Sequence, residues 1–265
     1  MRVLIHPGFH KTGTTSLQRG ADSQRRVLEP RVRLLLPHDM EQVNFAARRL
    51  SLGVVPKRVT ALREALAGLA SGIDSQDPRP LLISSEHLSG LMPGRKSVTG
   101  YDAAPEVLSH VVDVLSDHLT AASMTLWFTT RAPRPWLKSL YWQILRSQRL
   151  TEDLAGFSLR MQGAADHAAV VERVAARIGA RAAVSATPLE ACANGRLGPL
   201  GVALDRLGVS TVGLMPPDRQ NVQPSDGVEA LLALNRSDMD DAALGRAKTD
   251  LLKDVRRGGK TRKGG

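Results

Sequence analysis

Short apolar runs alternate along the chain with stretches in which apolar residues recur every three or four positions. The runs fall at residues 2–6, 31–36, 81–85, 124–130 and 181–185 and read as buried strands, being short, rich in Val, Ile and Leu, and closed by Pro, Gly or polar residues. Helical spacing is clearest at 57–70, where Val59, Leu62, Leu66 and Leu69 share a face. It is equally clear at 105–120, through Leu108, Val111, Val112, Leu115 and Leu119. Residues 15–28, more weakly 40–52, and 136–149 after a turn at 131–135 also read as helices, with Pro135 in a first turn. Two more follow on Val170, Val171, Val174 and Ile178 and on Leu197, Leu200, Leu204 and Leu207, and two helices close the chain. Residues 71–80, 88–104, 150–166 and 215–221 carry no period and read as loops. Strands alternating with amphipathic helices predict a mainly parallel, about five-stranded sheet covered on both faces, a three-layer α/β/α arrangement. With no repeat and no linker, residues 1–257 form one domain, followed by a basic, Gly-rich flexible tail at 258–265.

Composition narrows this picture little. A length of 265 residues and a hydrophobic content of 42% suffice for one large core. The single cysteine, Cys192, excludes an internal disulfide and fits a reducing compartment. No run approaches the roughly 20 apolar residues of a membrane span, and the chain enters a strand at once with no leader pattern, so the expected location is the cytoplasm. A net charge of +10 favours an anionic partner. Much of the excess in the tail reads as a solvated end, so nucleic acid is not expected.

The chemistry concentrates in the first loop. Between the strand at 2–6 and the helix from about 15 lies Pro7-Gly8-Phe9-His10-Lys11-Thr12-Gly13-Thr14-Thr15-Ser16. A strand, a Gly-containing loop and a helix N-terminus together make an anion cradle, since free N–H groups and the helix dipole face the loop. Gly8 and Gly13 admit close approach, Thr14, Thr15 and Ser16 offer hydroxyls, and Lys11 offers a full charge. A turn that only joined strand to helix would need neither the lysine nor the hydroxyls. Four residues separate Gly8 from Gly13, as in a phosphate-binding P-loop, but Thr14 stands where that motif has its lysine. The fold expected is therefore P-loop-like, with a shorter anionic chain in the loop and no obligatory metal. No pair of histidines has metal-ligand spacing.

Lys11-Thr12-Gly13-Thr14-Thr15-Ser16-Leu17 resembles the 5′-phosphosulfate loop of sulfotransferases, with His10 where the family often has proline. The longer form Gly8 to Gln18 is similar to that of bacterial sulfotransferase-like proteins. A second stretch, Arg131-Ala-Pro133-Arg-Pro-Trp-Leu-Lys-Ser139-Leu-Tyr141, resembles the family's 3′-phosphate motif. Physically, a guanidinium makes paired bonds to phosphate and a nearby hydroxyl adds a donor. The resemblance implies a donor, 3′-phosphoadenosine 5′-phosphosulfate, held by Lys11, Thr12, Gly13, Thr14, Thr15, Ser16, Arg131 and Ser139. It also implies sulfuryl transfer to a hydroxyl or amine of a small-molecule, carbohydrate or lipid acceptor, with Lys11 stabilising the leaving phosphate. Beyond about residue 150 the likeness fades, and Arg219-Gln-Asn221 lacks the glycine of the family's C-terminal loop.

The acceptor needs a base within reach. Glu86, at the carboxyl end of the strand at 81–85, is the first candidate, and His10 and His87 are alternatives; a cap, or an ion pair with Lys11 or Arg131, would equally explain Glu86. Residues 88–104 are a candidate wall or lid for the acceptor. Five of the nine aromatics lie within 127–142; one is a candidate to stack on adenine, but core packing explains most of them. Two other classes remain open: a P-loop phosphotransferase or nucleotide hydrolase using magnesium, and a non-catalytic nucleotide- or nucleic-acid-binding module. Neither the acceptor nor the oligomeric state is legible.

Overall fold

The computed structural model describes residues 1–192, 194–216 and 227–261, the last six as backbone. Five strands, β1 (Arg2–His6), β2 (Arg33–Leu35), β3 (Leu81–Ser84), β4 (Ser123–Thr130) and β5 (Ala183–Pro188), form one sheet in the order β2-β3-β1-β4-β5. Every neighbouring pair is parallel. Alternate residues of each strand face opposite sides, which sorts the core into two clusters. Val3 and Ile5, Leu81 and Ile83, and Leu126 and Phe128 face one side. Leu4, Leu82 and Trp127 face the other.

Helices cover both sides, as an all-parallel sheet requires. Leu17 and Ala21 of α1 (Thr14–Ser23), Leu28 of α2 (Arg25–Leu28) and Leu200 and Leu204 of a later helix (Pro199–Leu207) pack on the Leu4 side. On the Ile5 side lie α3 (Glu41–Leu50), α4 (Pro56–Ser71), α5 (Ala104–His118) and α6 (Pro133–Ser147). They are joined there by α7 (Leu154–Arg160), α8 (Gln162–Ala165) and α9 (His167–Ile178). The segment after β1 thus leaves toward one face, and those after β3 and β4 toward the other. Loops that diverge at the carboxyl ends of adjacent parallel strands open a crevice between them.

The expected architecture is present: one α/β domain with a P-loop-like β1–loop–α1 start and a five-stranded parallel sheet. Local departures have local causes. The helix expected over 15–28 breaks at Gln24, whose side chain is drawn across to Met215, donating to its carbonyl at 3.1 Å and accepting from its N–H at 2.5 Å. The strand expected at 31–36 shrinks to three paired residues, because β2 is an edge strand bonded only to β3. The fifth strand sits at 183–188, not 181–185. Residues 150–166 are not a loop but carry α7 and α8. Asp153 caps α7 by accepting from the Gly156 N–H at 2.8 Å, and Phe157, Met161 and Ala164 are buried. Gly156 and Gly163 had masked that helical spacing. Pro133, rather than Pro135, opens α6.

The chain ends in α10 (Leu189–Cys192), α11 (Pro199–Leu207), α12 (Val228–Arg236) and α13 (Asp241–Thr261). The last helix continues through 258–261, which had been assigned to the tail; residues 262–265 and the Arg219-Gln-Asn221 stretch lie outside the described residues. No helix among the described residues is long and apolar enough to cross a membrane.

Candidate functional site

The loop from Pro7 to Gly13 leaves the carboxyl end of β1 and enters α1 with Gly13 as its cap, in the left-handed region at φ +91°. Glycine is the residue that takes this conformation without strain. Gly8 is also left-handed, and a Cβ there would lie 2.5 Å from the Thr14 hydroxyl. Lys11 adopts φ +70° without that freedom. A non-glycine residue so placed is held by its surroundings and points to a constrained role.

Those surroundings are a buried polar brace. The imidazole of His6, fully buried, bonds Ser84 Oγ of β3 at 3.0 Å and Thr129 Oγ1 of β4 at 3.2 Å. Thr129 Oγ1 in turn meets Thr12 Oγ1 at 3.1 Å, and Thr12 donates to the Phe9 carbonyl at 2.7 Å. Three central strands and the loop are thereby tied together. Burial pulls the His6 pKa down to about 4, so the ring is neutral and both donates and accepts. Ser89 Oγ fastens the Gly8 carbonyl at 2.6 Å, and the Trp136 indole fastens that of His10 at 2.8 Å.

The expected site residues divide accordingly. Thr12 is buried with its hydroxyl engaged inside the loop, and Thr14 Oγ1 is directed at the Phe9 carbonyl at 3.3 Å. Thr15 is exposed and Ser16 half-buried at the start of α1. As the first residues of a helix, Thr14 and Thr15 present N–H groups that the helix itself does not use. Lys11 is half-buried. Burial first, then the charges of Arg146 and Arg131, bring its pKa down to about 8. Arg131 follows β4 and directs Nη1 toward the Lys11 carbonyl at 3.5 Å, so the two motifs meet. Its N–H points to His167 Nδ1 at 3.4 Å, and that imidazole stacks on Phe9 with ring centroids 4.5 Å apart. Burial lowers the His167 pKa to about 4. Ser139 is half-buried in the second turn of α6.

Glu86 opens a 3-10 turn, Glu86–Ser89, directly after β3. Gln18 of α1 donates to its carboxylate at 2.9 Å, which links the acid to the helix that carries the loop. Burial would raise its pKa, but the neighbouring His10, the Gln18 amide and His87 bring it below the ordinary carboxylate value. Among the described residues the groups that act on Glu86 are His10, Gln18 and His87, and no ion pair joins it to Lys11 or Arg131. His10 is buried, with its ring centroid 5.9 Å from that of His87. Burial lowers its pKa to about 3, which leaves a weak base. The aromatics of 127–142 are core: Trp127, Phe128, Trp136, Tyr141 and Trp142 are all buried. His6, Gln18 and His167 were not singled out in the sequence. Their partners are 66 to 123 residues away or in another element, and no local spacing announces them.

The arrangement offers a strained cation at a helix start, a guanidinium from a second strand, and a carboxylate from a third, all at the carboxyl end of one sheet. That set can hold two anionic groups and accept a proton.

No family model matches the chain, and no curated protein matches it. Among solved structures it is similar to a sulfotransferase from Alicyclobacillus acidocaldarius, at 17% sequence identity and a TM-score of 0.47. That match covers 88% of this chain and 91% of the other.

Proposed function

We propose that the protein is a sulfotransferase using 3′-phosphoadenosine 5′-phosphosulfate. The observation that carries the reading is the meeting of Arg131 with the Lys11 carbonyl at 3.5 Å, which brings the two motifs together from separate strand ends. A nucleotide with phosphate at both ends of its ribose needs such a pair of sites. Lys11 and the N–H groups of Gly13, Thr14 and Thr15 take the 5′-phosphosulfate; Arg131 and Ser139 take the 3′-phosphate. Thr12 keeps the loop in shape, and Ser16 borders it.

In the transfer step the acceptor oxygen forms a bond to sulfur while the bond from sulfur to the bridging phosphate oxygen breaks. The electron pair of that bond stays on the phosphate, where Lys11 and the loop amides stabilise it. The acceptor proton passes to the carboxylate of Glu86. No step calls for a metal.

The test is to incubate the protein with the labelled donor and a mixture of hydroxyl and amine compounds, without magnesium, and follow 3′-phosphoadenosine 5′-phosphate by chromatography. Acceptor-dependent release that Lys11→Ala and Glu86→Gln abolish supports the reading. Turnover of ATP or GTP in magnesium, with none of the sulfuryl donor, overturns it in favour of a phosphotransferase.

A further inference from the structure

Lys11 and Arg131 match the donor's anionic groups, and further cations, Arg48 and Arg95, act on His87, the chain neighbour of Glu86. A cavity of about 880 Å³ lies between α3, α4 and the turn Glu86–Ser89, and both Arg48 and His87 line it. On its other side the segment after Ser89 is tied to the end of α3, Leu91 donating to Ser51 Oγ at 2.8 Å. Gly94 of that segment is closely packed against Ile144 of α6, so the loop runs from α3 across to α6. Its turn is tight: Val98 donates to the Arg95 carbonyl at 2.9 Å, and Lys96 and Ser97 both sit at positive φ. Two consecutive left-handed residues without glycine make a strained turn directly after Arg95.

Arg95 Nε and His87 Nδ1 are buried and have no hydrogen-bond partner among the described residues. Buried donors and acceptors are ordinarily satisfied, so each such atom calls for an explanation. Neither Arg48 nor Arg95 forms an ion pair among the described residues. Both guanidinium charges, after burial, depress the His87 imidazole pKa, and that of Arg95 also reaches His10. The cavity wall beside Arg48 and His87 also carries two carboxylates, Glu41 and Glu64, both exposed and solvated.

Resting on the sulfotransferase reading, we infer that the acceptor is an anion: it carries a carboxylate or phosphate beside the hydroxyl that receives the sulfuryl group. Arg48, Arg95 and His87 hold that group and present the hydroxyl to Glu86. The two guanidinium groups also offset the repulsion between the acceptor's charge and the carboxylate of Glu86. The apolar part of the acceptor lies along Phe45, Ala46, Ala61 and Ala65, which share the cavity.

Matched pairs test this: benzyl alcohol against 4-(hydroxymethyl)benzoate, a methyl glucoside against the corresponding glucuronate, and glycerol against glycerol 3-phosphate. Each is titrated into protein saturated with 3′-phosphoadenosine 5′-phosphate, as wild type, Arg48→Gln and Arg95→Gln. The expected result is an anionic member of at least one pair binding about tenfold tighter than its neutral partner. Arg95→Gln should shrink that preference to about threefold or less while leaving the neutral member and the nucleotide unaffected. The pair that responds distinguishes carboxylate from phosphate. Equal binding within every pair, no binding of any member, or equal weakening of both members by Arg95→Gln overturns the inference. Failure of the nucleotide itself to bind is a separate result: it removes the donor-site reading, and the inference falls with it.

Discussion

Lys11 is the residue on which the proposed donor site turns. Its charged form is disfavoured in the folded protein, because burial and the Arg146 and Arg131 charges lower its pKa from 10.5 to about 8. The folded site therefore begins to lose this proton near pH 8, well before a free lysine would. An anion in the loop draws the proton back. Nucleotide affinity should accordingly fall as pH rises above about 8, and binding near that pH should take up protons, seen as a heat that varies with the buffer's ionisation enthalpy. Lys11→Arg should bind without this fall, since a guanidinium does not titrate there. Glu86→Gln tests the other half of the chemistry. Turnover should drop by roughly 10²- to 10⁴-fold with nucleotide affinity retained, and equal loss of both would make Glu86 a structural partner of Gln18 instead. Both residues are candidates from the sequence alone, one from its loop and the other from the end of an apolar run. That Gln18 restrains Glu86 is not legible there, because a glutamine within a helix carries no mark of its partner.

Among the elements, β1, β3 and β4 do more than fill the core. They project His6, Ser84 and Thr129 from neighbouring strands into one buried chain that ends at Thr12. Thr129→Val keeps the shape but leaves His6 Nε2 without a partner. The expected cost is about 1–3 kcal/mol, measured by urea unfolding, with weaker nucleotide binding as the loop loosens. Gly13→Ala should also destabilise, by about 1–3 kcal/mol, because position 13 holds φ +91° and a Cβ there would meet Leu189. Unchanged unfolding in both variants would contradict the bracing role. The five strands and the loop were readable from short-range pattern, but their order in the sheet was not. Nor was the brace, since it joins residues 78 to 123 positions apart. Helices α7 and α8 were missed because two glycines thin their apolar face, and the break at Gln24 because its cause lies at Met215. Arg48 and Arg95 belong to no local motif, and only the fold brings both charges to bear on His87.

At the scale of the whole molecule, neutral buried histidines set the acid limit of stability. His6 and His167 both have pKa values near 4 when folded, against 6.5 in the unfolded chain. Above about pH 6.5 neither state is protonated and the fold keeps its full stability. Between 6.5 and 4 the unfolded chain binds protons that the folded protein refuses, and stability is lost as pH falls through that window. The loss should be on the order of 2 kcal/mol per histidine at pH 5, read as a lower urea midpoint at pH 5 than at pH 7.5. An unchanged midpoint would place both rings in contact with water. The net charge of +10 adds a general attraction for anions, so binding must also be shown to depend on named residues. The measurement that does this most directly is calorimetric titration with 3′-phosphoadenosine 5′-phosphate, without magnesium, on wild type, Lys11→Ala and Arg131→Ala. A donor site predicts binding in the micromolar range, about −8 kcal/mol, weakened about tenfold or more by each change. No binding, or equal binding by all three proteins, would contradict it.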